Sequence, residues 1–242
     1  VQLAGDLSYD ANAILAAVGS SRPDVTVLCP NSYGVNNLPN LEAAVGSERL
    51  VSIEPGPLRE RDYSGGKATA LFDWAQENGH ACLLLDYSGC GESDGDFADG
   101  TLSLWRDEVL ALIEAKLDGP VLLVGSSMGG WLMLLAGLAL GERLAGMVGI
   151  AAAPDFSDWG YSAEQKASLQ AGETVLEDNP YGPEPTPTFA AFWADAQAQR
   201  QLDAPIAIDC PVTLLHGQRD ADVPWQTALR LAERLDSAKV LV

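Results

Sequence analysis

The sequence predicts a doubly wound α/β fold, in which a mostly parallel sheet carries helices on both faces and a helical cap is inserted over one edge. From about residue 66 onward, helix-like and strand-like apolar segments alternate. Several strand-like segments are continuous apolar runs, as expected for strands buried on both faces of a parallel sheet. The alternation stops between residues 156 and 205, which indicates an insertion.

The elements follow one another along the chain with short connections. The predicted strands cover residues 81–86, 120–124, 147–151, 211–215 and 239–242. Between them, apolar residues at three- and four-residue spacing predict helices over 67–76, 102–117 and 131–136, and a helix that Pro224 opens and that runs through Leu229 and Leu235.

The first 65 residues are atypical, although we treat residues 1–242 as a single domain. Residues 25–29 and 50–53 are predicted strands, and 12–18 and 41–45 are short helical stretches. Their order in the sheet does not follow from the sequence. The cap, at about residues 156–205, is rich in aromatic residues that either line a site at the carboxyl edge of the sheet or pack the cap's own small core.

Composition limits the classes of partner. Fourteen basic against 34 acidic residues give a net charge of −20, which disfavours nucleic acid and anionic membrane surfaces. The four cysteines show no metal-ligand spacing, and we expect reduced thiols in a cytoplasmic protein. No apolar run reaches the length of a membrane span, and we expect no basic-then-apolar leader. The sequence lacks an initiator Met and ends within an apolar run, so we expect a fragment of a longer protein.

Residues 125–130, Gly-Ser-Ser-Met-Gly-Gly, separate an apolar strand-like run from an apolar helix-like run. This Gly-x-Ser-x-Gly pattern is typical of the nucleophile elbow of an α/β-hydrolase, where a strained turn exposes the serine hydroxyl to a cleft. The flanking glycines leave room for the neighbouring strand and helix. We therefore predict that Ser127 is a catalytic nucleophile. The alternative is a strand-to-helix turn of small residues without catalysis.

A serine nucleophile needs a general base, and the base needs a carboxylate that holds it in place. In hydrolases of this fold the chain order is serine, acid, histidine, so the acid should follow a strand downstream of Ser127. Asp220 meets this requirement, because it lies in the loop after the predicted strand 211–215. Asp222 and Asp155 are the alternatives.

Several motifs in the expected order resemble the α/β-hydrolase superfamily. More narrowly, they resemble bacterial carboxylesterase-like relatives of the mitochondrial acyl-protein thioesterase that also cleaves acyl glucuronides. These motifs are residues 86–95, 125–131, 150–156, 180–182 and 217–226, so the similarity covers about residues 66–242. The resemblance implies that Ser127 is the nucleophile, that Asp220 is the triad acid and that the backbone N–H of Met128 is an oxyanion-hole donor. It implies no metal or organic cofactor.

The second oxyanion-hole donor departs from the family pattern. The family has His-Gly and an apolar residue in the turn before its first helix, whereas the nearest match here is residues 54–58, in which Pro57 has no N–H to donate. Either Leu58 donates, or the turn at residues 29–32 does, or this half of the hole is defective.

The general base also departs from the family pattern. The chain contains two histidines, His80 and His216, and both precede the position of the base in this fold. We expect His80 to be an exposed side chain at the opposite edge of the sheet. His216 is an alternative base, but the family's histidine would lie within roughly ten residues after Val242.

These features predict a serine hydrolase that acts on a small-molecule acyl ester or thioester. The alternative is a non-catalytic scaffold of the same fold that binds a small molecule or a protein partner, as the anomalous Pro57 and the missing histidine suggest. A nucleotide-binding domain is disfavoured because residues 89–91 lack the third spaced glycine and no Gly-Lys-Ser/Thr loop occurs. The acyl chain, the leaving group and the oligomeric state are not predicted.

Overall fold

The computed structural model of the protein describes residues 25–29, 51–53, 65–91, 93–179 and 183–241. The strands in this part are β1 (Val25–Cys29), β2 (Val51–Ile53), β3 (Ala81–Leu85), β4 (Val121–Ser126), β5 (Leu144–Ile150), β6 (Val175–Glu177), β7 (Thr186–Thr188), β8 (Val212–Leu215) and β9 (Ala238–Leu241). Seven of them form one sheet in the order β2-β3-β1-β4-β5-β8-β9, and every neighbouring pair is parallel. Strands β6 and β7 form a separate antiparallel pair.

The α-helices of the described residues are α1 (Gly65–Asn78), α2 (Leu102–Lys116), α3 (Met128–Leu140), α4 (Phe156–Trp159), α5 (Ala163–Gln170), α6 (Ala190–Ala198) and α7 (Gln226–Ala232). Side chains fix two of the helix starts. The Thr101 hydroxyl accepts the Leu104 N–H and caps α2. Ser162 and Gln165 form a reciprocal capping box at α5.

Alternating side chains of the central strands face two different layers of helices. On β4, Val121 and Leu123 pack with α2, α3 and α7, whereas Leu122 and Val124 pack with the apolar face of α1. Both sets are fully buried, because each face of a parallel sheet is covered by helices. The predicted doubly wound α/β fold is therefore confirmed.

The cap lies between β5 and β8 in the sequence and comprises α4, α5, the β6–β7 hairpin and α6. Its own small apolar cluster is Tyr161, Leu169, Val175 and Trp193. Phe192 of α6 instead packs on Trp105 of α2, with ring centroids 5.8 Å apart. Some cap aromatics thus pack the cap's own core, whereas Phe192 packs against the sheet domain. Tyr181 lies outside the described residues.

Most element bounds lie close to the predicted ones, but α3 begins at Met128 and β5 at Leu144, each earlier than predicted, and the helix after β8 is shorter than predicted. Pro224 does not open a helix, because Thr227 N–H and Ala228 N–H bond to the carbonyls three residues earlier and form a tighter turn before α7. The same i to i+3 bonding follows α7, so Leu235 lies beyond its end. The predicted helical stretches at 12–18 and 41–45 lie outside the described residues.

The structure gives the positions of the two N-terminal strands in the sheet, which the sequence did not predict. Strand β1 lies between β3 and β4, with Cys29 paired to Gly125, and β2 forms the edge next to β3. Cys82, Cys90 and Cys210 are free thiols, the first two of them buried. Among the described residues, no helix is both long and apolar enough to cross a membrane.

Candidate active site

Ser127 lies in a sharp turn between the carboxyl end of β4 and the first residue of α3. Its backbone has φ 53° and ψ −122°, a conformation that residues other than glycine rarely adopt. The turn is held on both sides, because Ser127 N–H donates to the carbonyl of Ile150 and the Ser127 carbonyl accepts the N–H of Ala153, each at 3.0 Å. Strain that the surroundings enforce in this way is characteristic of functional sites.

Two of the glycines in residues 125–130 are required by close contacts. A Cβ on Gly125 would lie 2.3 Å from the carbonyl oxygen of Gly129 and 2.7 Å from Cα of Gly130. A Cβ on Gly130 would lie 2.5 Å from the Cβ of Ala152, just after β5. These residues therefore permit the close approach of β4, α3 and β5 that the elbow requires.

An apolar pocket adjoins the elbow between the core and the cap. Its free space is about 10 Å³, on the order of one water molecule, and it is lined by Phe97, Gly100, Trp105, Met128, Pro187, Thr188, Phe189 and Phe192. Met128 is the first residue of α3 and is buried. Backbone N–H groups in the first turn of a helix point beyond its end, so this position suits a donor to a developing negative charge.

Asp220 lies in the loop between β8 and α7, and backbone donors hold its carboxylate. Its Oδ1 accepts the N–H of Asp222 at 3.0 Å and the N–H of Val223 at 2.9 Å. This loop leaves the sheet near the elbow, because Ser126, Ile150 and Leu215 are in register on β4, β5 and β8.

Lys67, in the first turn of α1, contacts the strand that leads into the elbow. Its Nζ donates to Ser126 Oγ at 2.8 Å. Burial lowers the pKa of Lys67 from 10.5 to about 8, and the charge of Asp220 acts in the opposite direction. The sequence does not predict a role for this residue. No motif marks a lysine in the first turn of α1, 59 positions from its serine partner.

The two alternative acids occupy different environments. Asp155 is buried with a φ of 58°, and its carboxylate accepts the N–H groups of Gln201 and Leu202 at 2.8 and 2.9 Å. Burial raises the pKa of the Asp155 carboxyl, and those two N–H donors partly oppose this effect. Its contacts thus join the start of the cap to the chain that leaves the cap. Asp222 is exposed.

Each histidine of the chain has a local contact. His216 is buried at the end of β8, and its Nε2 lies 2.9 Å from the carbonyl oxygen of Val223. His80 lies at the amino end of β3 and is half-buried, with its ring stacked on Trp74 at a centroid distance of 5.1 Å. The expectation of an exposed His80 was wrong, because the α1 indole covers one face of the imidazole. The candidate oxyanion residues Pro57 and Leu58 and the turn at 30–32 lie outside the described residues.

The architecture and the elbow define the class of protein. The model of the alpha/beta hydrolase family matches residues 55–241, and the chain belongs to this family. The model of the MJ0874 family matches residues 11–84. The predicted superfamily resemblance is thereby confirmed.

Individual relatives within this family are more similar to the chain than the family model alone indicates, and several share one name. The mitochondrial palmitoyl-protein thioesterase ABHD10 of Pongo abelii is 34% identical over 242 residues, which cover 95% of this chain and 78% of the relative. The protein of the same name from Mus musculus is 39% identical over 215 residues, covering 85% of this chain and 70% of the relative. The solved structure of alpha/beta hydrolase domain-containing protein 10 from mouse is 30% identical with a TM-score of 0.69, covering 90% of this chain and 78% of that one. These relatives confirm the predicted similarity to a mitochondrial acyl-protein thioesterase.

Proposed function

We propose that the protein is a serine hydrolase that cleaves carboxylic esters or thioesters through an acyl-enzyme on Ser127. The observation that carries this proposal is the strained turn at Ser127, which lies beside a buried Met128 that lines an apolar pocket. The aromatic side chains that line this small pocket are apolar, like the acyl part of such a substrate. The thioesterase names of the relatives support the same class of reaction.

In the proposed reaction, Ser127 Oγ attacks the acyl carbonyl carbon while a general base accepts the hydroxyl proton. The carbonyl oxygen gains the negative charge and accepts a hydrogen bond from the Met128 N–H. The tetrahedral intermediate expels an alcohol or thiol, to which the base returns the proton. Water then attacks the acyl-enzyme in the same manner and releases the carboxylic acid.

We assign the base to a histidine that follows Val242 in the complete protein, and the acid that orients it to Asp220. The described contacts of His80 and His216 lie elsewhere, on Trp74 and on the Val223 carbonyl. A carboxylate in the Asp220 position fixes the tautomer of the histidine and stabilises the imidazolium that forms during the attack.

The test is steady-state hydrolysis of p-nitrophenyl esters and of acyl thioesters by the protein expressed from its complete reading frame. We expect Ser127→Ala to lower kcat by at least about a thousandfold, the scale of losing a triad member, without a change in stability. Ser168→Ala, on cap helix α5, is the matched control and should retain wild-type kcat. Absence of turnover in the wild type would contradict the proposal and favour a non-catalytic binding scaffold.

A further inference from the structure

The pocket beside the elbow is closed by side chains from two parts of the chain. Phe97 precedes α2 and Trp105 lies on it, whereas Thr188, Phe189 and Phe192 belong to the cap. The rings of Phe97 and Phe189, one from each part, meet edge to face with centroids 6.1 Å apart. Both of these rings are half-buried, and Trp105 and Phe192 are buried. The free space that remains, about 10 Å³, is on the order of one water molecule or one methyl group.

The cap side of the pocket is held in place through α6. The carboxylate of Asp195 on α6 accepts the backbone N–H of Ser103 at 2.9 Å and also the hydroxyl of Ser103. Ser103 lies in the first turn of α2, where N–H groups lack partners within the helix and negative charge is favoured. Gln199, just after α6, donates to Ser103 Oγ at 3.0 Å, and its carbonyl accepts the indole N–H of Trp131 at 3.1 Å. Helix α6 therefore cannot move away from α2 and α3 without losing these contacts.

The side chains around the pocket offer apolar contacts. Two of them carry a nitrogen or oxygen atom, and both atoms have partners. Thr188 Oγ1 lies 2.8 Å from the buried hydroxyl of Tyr161, and Trp105 Nε1 donates to the carbonyl of Ser88 at 3.1 Å. A hydroxyl or carboxylate on the acyl chain would lose its hydration and find both atoms engaged, which disfavours such a substrate. The pocket therefore suits an unsubstituted hydrocarbon group.

We propose that the contact between Phe97 and Phe189, with α6 fixed on α2, limits the acyl part of the substrate to about two or three carbon atoms. This inference rests on the proposed function, in which Ser127 Oγ attacks the acyl carbon. Met128 follows the nucleophile and lines the pocket, so the carbon next to the acyl carbonyl enters this space. A methyl group fits there, whereas a longer chain requires the two rings to separate or α6 to shift. Palmitoyl groups, which the name of the relatives contains, are far longer than this limit.

The first experiment compares acyl-chain lengths in the wild type. We measure kcat/KM of the full-length protein on the acetate, butyrate and octanoate esters of p-nitrophenol and on thioesters of the same acids. One methylene can change kcat/KM by about 10- to 200-fold, so we expect acetate to exceed octanoate by at least about a hundredfold. A smaller ratio would overturn the inference and leave the proposed function standing. Absence of hydrolysis with every ester and thioester would refute the proposed function, and the inference with it.

The second experiment removes the two rings one at a time. Phe189→Ala and Phe97→Ala each open the pocket from one side, and we expect the octanoate-to-acetate ratio of kcat/KM to rise at least about tenfold in either variant. This ratio does not depend on the fraction of protein that is active, so a general loss of folding leaves it unchanged. Leu176→Ala is the control and should keep the wild-type ratio, because Leu176 is exposed on β6 of the same cap, away from the pocket. A wild-type ratio in both phenylalanine variants would overturn the inference.

Discussion

Replacing Asp155 by Asn should destabilise the protein by about 2 kcal/mol. The carboxylate accepts two backbone N–H groups, from Gln201 and Leu202, and Asn has one acceptor oxygen for both. A hydrogen bond to a charged group contributes roughly 1.5–3 kcal/mol, and the substitution loses one of the two. Asn tolerates the φ of 58° as well as Asp does, so the backbone conformation adds no cost.

Urea unfolding measures the decrease in the free energy of unfolding of Asp155→Asn. Steady-state kinetics on the folded variant then shows whether the residue also takes part in catalysis. We expect kcat of Asp155→Asn to stay within about tenfold of the wild type, because the carboxylate serves the cap rather than the base. Asp158→Asn is the control, since its partly exposed pairs with Lys166 and Arg200 each contribute less than about 1 kcal/mol. Unchanged stability would refute the hydrogen-bond argument, and a loss of about ten-thousandfold in kcat would make Asp155 the triad acid.

The remaining predictions concern the elbow, the lysine and the acid. Gly125→Ala should destabilise the protein by about 3 kcal/mol in urea unfolding, because the new Cβ meets a backbone oxygen at 2.3 Å. Gly137→Ala meets only flexible side-chain ends at 3.1 and 3.2 Å and should cost less than about 1 kcal/mol. The unfolding free energy of the wild type relative to Lys67→Met should rise between pH 8 and 10.5, since the unfolded chain binds the additional proton in this window. Asp220→Asn should lower kcat about ten-thousandfold and Asp222→Asn less than about tenfold, and the reverse result would remove Asp220 from the site.

Local sequence patterns were sufficient to predict most of the elements that carry the site. The continuous apolar runs of β3 and β4 and the spacing of Trp105, Val109 and Ile113 on α2 report burial directly. Helix α3 begins three residues earlier than predicted, because small residues of the elbow carry no periodic apolar signal.

Long-range relations could not be predicted in the same way. The order of β1 and β2 depends on which strands pair, and the sequence of a short strand does not specify the strand beside it. The role of Asp155 depends on backbone donors 46 and 47 positions away. Lys67 was missed for the same reason, because a lysine on a helix usually faces solvent. The Ser127 elbow was predictable because its sequence motif lies within six consecutive residues.

The central claim is that Ser127 is the nucleophile. The most direct measurement treats the full-length protein with a fluorophosphonate probe and maps the modified peptide by mass spectrometry. We predict one covalent adduct on Ser127, which forms faster than on the denatured protein. The adduct should be absent in Ser127→Ala, although that variant keeps the folded structure. An adduct on another residue, or labelling that persists in Ser127→Ala, would contradict it.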